Sequence, residues 1–298
     1  MTDPDWIAVD WGTTHLRGWA MADDGSVLAS ATSDRGMGQL APSEFEPALL
    51  DLIKDWRTDV PVIACGMVGS RQGWVEAPYA AVPSPPLGAG RAVAMTQTPG
   101  LSVHVIPGLK QLDPADVMRG EETQIAGFLA MNPGWDGVLC LPGTHTKWAH
   151  VSAGEVVSFQ TFMTGDLFAA ISGHTVLRHS VGGDGWDEGA FDAALSDAMA
   201  HPARLAARMF SLRADGLLHG LGAPEARARL SALLIGAELA AARPYWLGQN
   251  IGVIGAGSLA ALYIRALAAQ GAPAVQANGT AVTIAGLIAA RNRIKETS

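Results

Sequence analysis

Short apolar runs bounded by Gly, Pro and Asp fill the first half of the chain, whereas Ala- and Leu-rich stretches dominate the rest. Trp6 to Asp10, Leu16 to Met21 and Val27 to Ala31 read as three strands joined by tight turns, the second carrying Asp24-Gly25, a strong hairpin signal. A helix is expected after Ser43, where Glu46 three residues on makes a capping box, and should run to Trp56. Val60 to Cys65 and Val103 to Ile106 are short buried strands, the residues after Gly120 suit a helix, and Val138 to Leu141 is a further strand. Helical patterns follow around 188 to 213 and 224 to 242. Ile251 to Ile254 is then a strand running into Gly255-Ala256-Gly257, with a helix from Ser258 to Ala269, a last strand near Ala274 to Gln276 and a closing helix over Val282 to Arg291. This alternation predicts an α/β protein.

One pattern occurs twice. Asp10-Trp11-Gly12-Thr13-Thr14-His15-Leu16-Arg17-Gly18-Trp19 is echoed by Leu141-Pro142-Gly143-Thr144-His145-Thr146-Lys147-Trp148. In each copy an apolar run meets a Gly-Thr turn, a basic residue and a Trp follow, and a second turn at Asp24-Gly25 or Ala153-Gly154 leads into another apolar run. Such a turn suits a phosphate chain, because Gly lets the backbone approach closely while Thr and the turn amides supply donors. Asp10 precedes the first Gly-Thr and Leu141-Pro142 the second, so only the first turn is expected to handle a metal. The restart of the pattern places a domain boundary near Gly134, dividing the chain into 1–134 and 135–298.

At 298 residues the chain exceeds one comfortable core, and 49% hydrophobic against 16% charged residues suits two well-buried domains. A net charge of -8 argues against a nucleic-acid or anionic-membrane surface, which would need a basic face. Cys65 and Cys140 each lie inside an apolar run and read as reduced core thiols. The Met-Thr-Asp-Pro-Asp start has no basic region, and no later segment reaches membrane-spanning length, so a cytoplasmic enzyme with a small-molecule partner is expected. Residues 66 to 90 are rich in Gly and Pro with Arg71, Gln72, Trp74, Glu76 and Tyr79 embedded, a candidate substrate loop. His15, His145 and His150 form no metal spacing, and Gly255-Ala256-Gly257 lacks the full dinucleotide fingerprint.

Together, Asp-Trp-Gly-Thr-Thr after a first strand, the duplicated Gly-Thr turn and the late Gly-Ala-Gly turn resemble the superfamily of sugar kinases, actin and heat-shock chaperone ATPases. Four longer strings, Gly66 to Trp74, Asp116 to Gln124, Leu141 to Trp148 and Thr161 to Gly165, are similar to the 2-keto-3-deoxygalactonokinase family across almost the whole chain. The resemblance implies a two-lobed actin-like ATPase (ribonuclease H-like) fold of duplicated mixed-sheet domains with an ATP cleft that closes on its substrates. It implies transfer of the ATP γ-phosphoryl group to the C6 hydroxyl of 2-dehydro-3-deoxy-D-galactonate in galactonate catabolism. Gly12, Thr13, Thr14, Gly143 and Thr144 are then the phosphate ligands, with Lys147 either touching the β- or γ-phosphate or standing as a solvated turn lysine, and Gly255, Ala256 and Gly257 form the adenosine turn.

Phosphoryl transfer needs positioning, charge neutralisation by Mg²⁺ and a base near the attacking hydroxyl. Asp10, at a strand end, is placed to hold Mg²⁺ through water; its bland alternative is to accept turn amides. Glu121 is the candidate base. Related sugar kinases carry a Gly-Asp or Asn-Asp pair at the helix before the second phosphate motif, and Gly120-Glu121 occupies that place with Glu instead of Asp. Exopolyphosphatase relatives carry Gly-Glu-Glu there. Glu121 and Glu122 could otherwise simply favour the helix dipole, and Asp166 is the next candidate base. For the substrate carboxylate an Arg fork is suited, Arg71 first, with Arg17 and Arg119 behind it. Gln72 and Glu76 could bond hydroxyls and Trp74 and Tyr79 wall the pocket, or all could be loop scaffolding. An ATP or polyphosphate hydrolase and a non-catalytic sugar-acid sensor are the alternative readings. The gluconate epimer and a homodimer are left open by the sequence.

Overall fold

The structure is a computed structural model that describes residues 2–88, 90–255 and 257–296. Two compact units make it up: Met1–Asp136, Val151–Ser158 and Asn278–Ser298 form unit 1, and Gly137–His150 with Phe159–Ala277 form unit 2. A single cut at 134/135 differs from this division in two respects, the assignment to unit 1 of Val151–Ser158 and of the closing segment from Asn278. No helix among the described residues is long and apolar enough to cross a membrane.

Unit 1 opens with three strands, β1 (Trp6–Trp11), β2 (Leu16–Met21) and β3 (Val27–Ser33), followed by helix α1 (Phe45–Leu52) and strand β4 (Pro61–Gly66). Short strands β5 (Tyr79–Ala81), β6 (Ala92–Ala94), β7 (Ser102–Val105), β8 (Gly108–Leu112) and β9 (Ala115–Met118) lead to helix α2 (Glu121–Met131). The main sheet has the order β3-β2-β1-β4-β7-β6, with β1, β4 and β7 parallel, and β5-β8-β9 forms a small second sheet. The two-residue period of β1 explains why this sheet is covered on both faces. Ile7, Val9 and Trp11 enter one core with Phe45 and Leu49 of α1, while Trp6 and Ala8 enter another.

Unit 2 repeats the plan with β10 (Gly137–Leu141), β11 (Thr146–Ser152), β12 (Glu155–Phe162) and helix α3 (Thr164–His174). Helices α4 (Glu188–Ala200), α5 (Leu205–Leu218), α6 (Ala223–Ala241) and α7 (Arg243–Trp246) precede β13 (Ile251–Ile254), α8 (Gly257–Ala268) and β14 (Ala274–Ala277). The sheet order β12-β11-β10-β13-β14 matches β3-β2-β1-β4-β7 place by place, with β10, β13 and β14 parallel as β1, β4 and β7 are. Val138, Cys140 and Trp148 pack on Phe191, Ala232, Ile235 and Tyr263 in its core. The last helix, α9 (Gly279–Glu296), belongs to unit 1, where Leu287 and Ala290 cover Trp6 and Ala8. It packs closely on α2, and a Cβ on Gly127 or Gly286 would run into the partner helix's backbone.

The expected capping box is corrected by the structure. Pro42–Glu44 forms a short 3₁₀ turn, and Glu44, not Glu46, reaches back to the Ala41 amide at 2.7 Å. Glu46 instead accepts the amides of Gln97 and Thr98, both at 2.8 Å, so a long-range partner took the carboxylate. The helix then ends at Leu52 rather than Trp56.

Candidate active site

The first Gly-Thr turn joins β1 to β2 in unit 1. Its mouth is closed by the Gly12 amide donating to the His15 carbonyl at 2.9 Å, and Thr13 and Thr14 are exposed. The turn is fastened from outside by the chain after β3. The amides of Gly36, Met37 and Gly38 donate to the carbonyls of Thr14, Gly12 and Thr13 at 3.2, 2.9 and 2.9 Å. This approach is so close that a side chain on Gly36 would collide with the Thr13 carbonyl.

Asp10 ends β1 with its side chain 15% exposed, ion-paired to Arg17, its register partner on β2. Arg17 also lies 5.9 Å over the Trp19 ring and 3.5 Å from the Thr280 hydroxyl. Parallel pairing sets Cys65 beside Asp10, and the Cys65 thiol lies 3.8 Å from the Asp10 carboxylate. Burial, and then the Asp10 and Glu122 carboxylates, push that thiol well up, so it stays a protonated core group.

Gly66, at φ 92°, ends β4 beside Asp10 and also abuts Gly120, which has φ 105° and opens α2. The start of α2 is thereby brought to the end of β1. Its two carboxylates are treated differently. Glu122 is fully buried, accepts the Gly120 amide at 2.6 Å and the Thr123 hydroxyl at 2.9 Å, and is pushed up to about 8 by burial and by the Glu121 charge. Glu121 is half-buried and accepts the Arg119 amide at 3.1 Å, which leaves it the carboxylate of the pair with solvent access.

In the 66–79 segment Arg71 is 81% exposed and lies 3.6 Å from Glu76, with Gln72 exposed beside it. Trp74 is half-buried in the core, stacked on Phe45 at 6.2 Å and edge-on to Trp11 at 6.1 Å. Arg119 is the arginine this segment wraps: buried, 4.2 Å over the Tyr79 ring and donating to the Ala77 carbonyl at 2.8 Å.

The second Gly-Thr turn joins β10 to β11 in unit 2 and is fastened in the same way, by the chain after β12. The Asp166 amide donates to the Thr144 carbonyl at 2.9 Å, and Gly165 packs so tightly that a Cβ there would strike the Gly143 carbonyl. His145 lies 3.5 Å from Asp166. Lys147 is buried on β11, with its ammonium donating to the His145 carbonyl at 3.2 Å. A cavity of about 740 Å³ opens from this turn, within the range of small-molecule sites. Gly143, Thr164 and Gly165 line one part of it, Ser258 and Leu259 of α8 another, and Phe168, Trp186 and Ile235 give it apolar walls. The amino ends of α3 and α8 thus both border the cavity, where partial positive charge favours an anion. Gly255 is held by its amide to the Ala277 carbonyl at 3.0 Å and Gly257 has φ 70°, while Ala256 lies outside the described residues.

The 2-keto-3-deoxy-galactonokinase family matches residues 10–290, from Asp10 at the end of β1 into α9. The chain belongs to that family. It is 41% identical over 299 residues to a Rhizobium meliloti (strain 1021) protein named DgoK1, a probable 2-dehydro-3-deoxygalactonokinase, covering 97% of each. It is 36% identical to the 2-dehydro-3-deoxygalactonokinase of Escherichia coli (strain K12), covering 95% of this chain and 96% of that one. A crystal structure from Sinorhizobium meliloti assigned as a 2-dehydro-3-deoxygalactonokinase superposes with a TM-score of 0.90 at 39% identity, covering 97% and 96%. At the level of fold alone, component A of the Acidaminococcus fermentans (R)-2-hydroxyglutaryl-CoA dehydratase matches with a TM-score of 0.53 at 11% identity, covering 97% and 98%. The α/β, two-lobed, duplicated mixed-sheet architecture is therefore the actin-like ATPase fold.

In this family member, sequence reasoning missed two sets of residues. Gly36 and Gly38 were hidden in a stretch with no motif of its own, although Gly165 in the second copy is their counterpart. Glu238 stands almost alone among apolar residues between Leu230 and Ala241 of α6, and a lone carboxylate on a buried helix face was the available signal.

Proposed function

We propose that the chain is an ATP-dependent kinase that phosphorylates the C6 hydroxyl of 2-dehydro-3-deoxy-D-galactonate in the cytoplasm, releasing ADP and the 6-phospho sugar acid. The observation that carries this reading is the twice-built, externally clamped Gly-Thr turn, one copy following Asp10 at a strand end that the start of α2 also reaches, and the other at the mouth of a 740 Å³ cavity. In unit 2, Gly143 and Thr144 with the amino end of α3 take the ATP phosphates, and the Gly255–Gly257 turn with the apolar walls takes the nucleoside. In unit 1, Gly12, Thr13 and Thr14 take the transferred phosphoryl group.

Glu121 accepts the proton of the C6 hydroxyl. The hydroxyl oxygen bonds to the γ-phosphorus while the bond from that phosphorus to the β–γ bridging oxygen breaks, and the electron pair leaves with ADP. Asp10 suits Mg²⁺, since one half-buried carboxylate plus water and phosphate oxygens is the set this ion takes; when bound it neutralises charge on the phosphates. Arg17 balances the Asp10 charge otherwise. Arg71, exposed and only loosely tied to Glu76, supplies the fork for the substrate carboxylate, with Gln72 and Glu76 beside it for hydroxyls.

ATP consumption measured with and without 2-dehydro-3-deoxygalactonate, followed by phosphorus NMR of the product, tests the reading. Turnover that is equal in both conditions would sink it in favour of a hydrolase. Running the same assay over a panel of 2-keto-3-deoxy sugar acids reads the C4 preference.

A further inference from the structure

Glu238 of α6 is 3% exposed in the interior of unit 2, and no step above uses it. One carboxylate oxygen accepts the Trp148 indole N–H at 2.8 Å; the other accepts the Tyr263 hydroxyl at 2.7 Å and the Thr164 hydroxyl. The Thr146 hydroxyl lies 3.0 Å from that of Tyr263 and extends the network. Burial raises the Glu238 pKa while the three hydrogen bonds oppose it.

Each partner comes from a different part of the nucleotide cavity's frame. Thr164 opens α3, whose next two residues clamp the Gly143–Thr144 turn. Trp148 and Thr146 lie on β11, the strand that leaves that turn. Tyr263 lies in α8, the helix that begins at Gly257 of the glycine-rich turn. Thr164 and Tyr263 themselves line the cavity. A well-packed apolar side chain would fill this place at lower desolvation cost, whereas a carboxylate can hold three donors from three elements at one point.

We propose that Glu238 is a positioning residue for the nucleotide: it sets the spacing between the phosphate-side turn and the glycine-rich turn, and so governs affinity for the nucleoside triphosphate but not for the sugar acid. The inference rests on the reading of the chain as an ATP-dependent kinase.

The test is calorimetric ATP binding without sugar acid, together with the KM for each substrate and the melting temperature. The proteins are the wild type, Glu238→Gln and Thr146→Val, the last removing a hydroxyl that does not line the cavity. Glu238→Gln is expected to weaken ATP binding about tenfold and leave the KM for the sugar acid within about twofold, with Thr146→Val shifting ATP binding less in the same direction. Lower melting temperatures with unchanged ATP affinity would overturn the inference, as would an equal rise in both KM values. Should Glu238→Gln fail to fold, Thr146→Val decides by the same criteria. A wild type that binds no ATP overturns the kinase reading itself, which is a different failure from a wild type and variants that bind ATP equally.

Discussion

At Gly12–Thr14 the clamp comes from the amides of Gly36 to Gly38 and the strand end carries Asp10; at Gly143–Thr144 it comes from Gly165 and Asp166 and the strand end carries Leu141-Pro142. Both turns therefore have the same backbone solution, a strand-to-strand turn pinned by a glycine from the chain after the third strand. They differ in where the negative charge lies. Around the first turn it stands at the strand end and at the amino end of α2, on the half-buried Asp10 and Glu121. At the second, Asp166 stands half-exposed against His145, and Glu238 is withdrawn into the core, where it accepts from three donors. A duplicated scaffold thus carries its carboxylates differently in its two copies, and on the proposed reading this placement divides the labour between metal and proton on one side and nucleotide on the other.

Asp10→Asn is the strongest way to break that contrast. It should lower kcat by ~10³-fold, the scale of removing a charge-stabilising element at the reacting phosphoryl group, while metal-free ATP affinity changes little; a loss under tenfold in steady-state kinetics would mean the two turns are equivalent toward metal. Glu121→Gln should cost roughly 10²- to 10³-fold in kcat with little change in ATP KM. Near wild-type turnover would move the base elsewhere, Asp166 at the second turn being next.

The clamps can be compared directly by Gly36→Ala and Gly165→Ala. Each forces a methyl into a backbone carbonyl, so both should destabilise by about 1–3 kcal/mol, visible as a lower melting temperature. Only Gly165→Ala should raise ATP KM in proportion. Matching kinetic effects would remove the division between a nucleotide turn and a transfer turn.

The smallest effect is on stability against pH. Glu122 sits at about 8 in the folded protein, above its ordinary 4.5, so the folded state favours its protonated form. Its contribution is complete below pH 4.5 and is lost as pH rises toward 8, a decline of about 1–2 kcal/mol after allowance for relaxation. Denaturant melts at pH 5 and pH 8 should show that slope in wild type and a shallower one in Glu122→Gln. Identical slopes would mean that Glu122 does not carry it.

Leu16 to Met21 and Ile251 to Ile254 were read to the residue, because Gly and polar turns punctuate apolar runs at both ends. Strands β5, β8 and β9 were not seen, since their short segments lack a sustained alternation of apolar and polar residues. Of the residues expected at the site from motif context, Asp10 and Gly120 both lie against Gly66, and Glu121 follows Gly120 in the chain. The environment of the loop residues was not legible: Trp74 enters the core with Trp11 and Phe45, Arg119 is wrapped and Arg71 is left exposed. Nothing in a polar Gly-rich string distinguishes one arginine's environment from another's.

By itself the sequence determined the α/β order of elements, the twice-used Gly-Thr turn, and the strings by which the family is recognised. These rest on local periodicity and on residue types that a turn demands, and both are short-range. Only the tertiary structure decided that α9 returns to unit 1, that Glu122 is sealed while Glu121 is not, and that Glu238 gathers Thr164 and Trp148 from 74 and 90 residues away. Desolvation and hydrogen-bond geometry depend on which elements pack together, and that packing is a property of the whole fold.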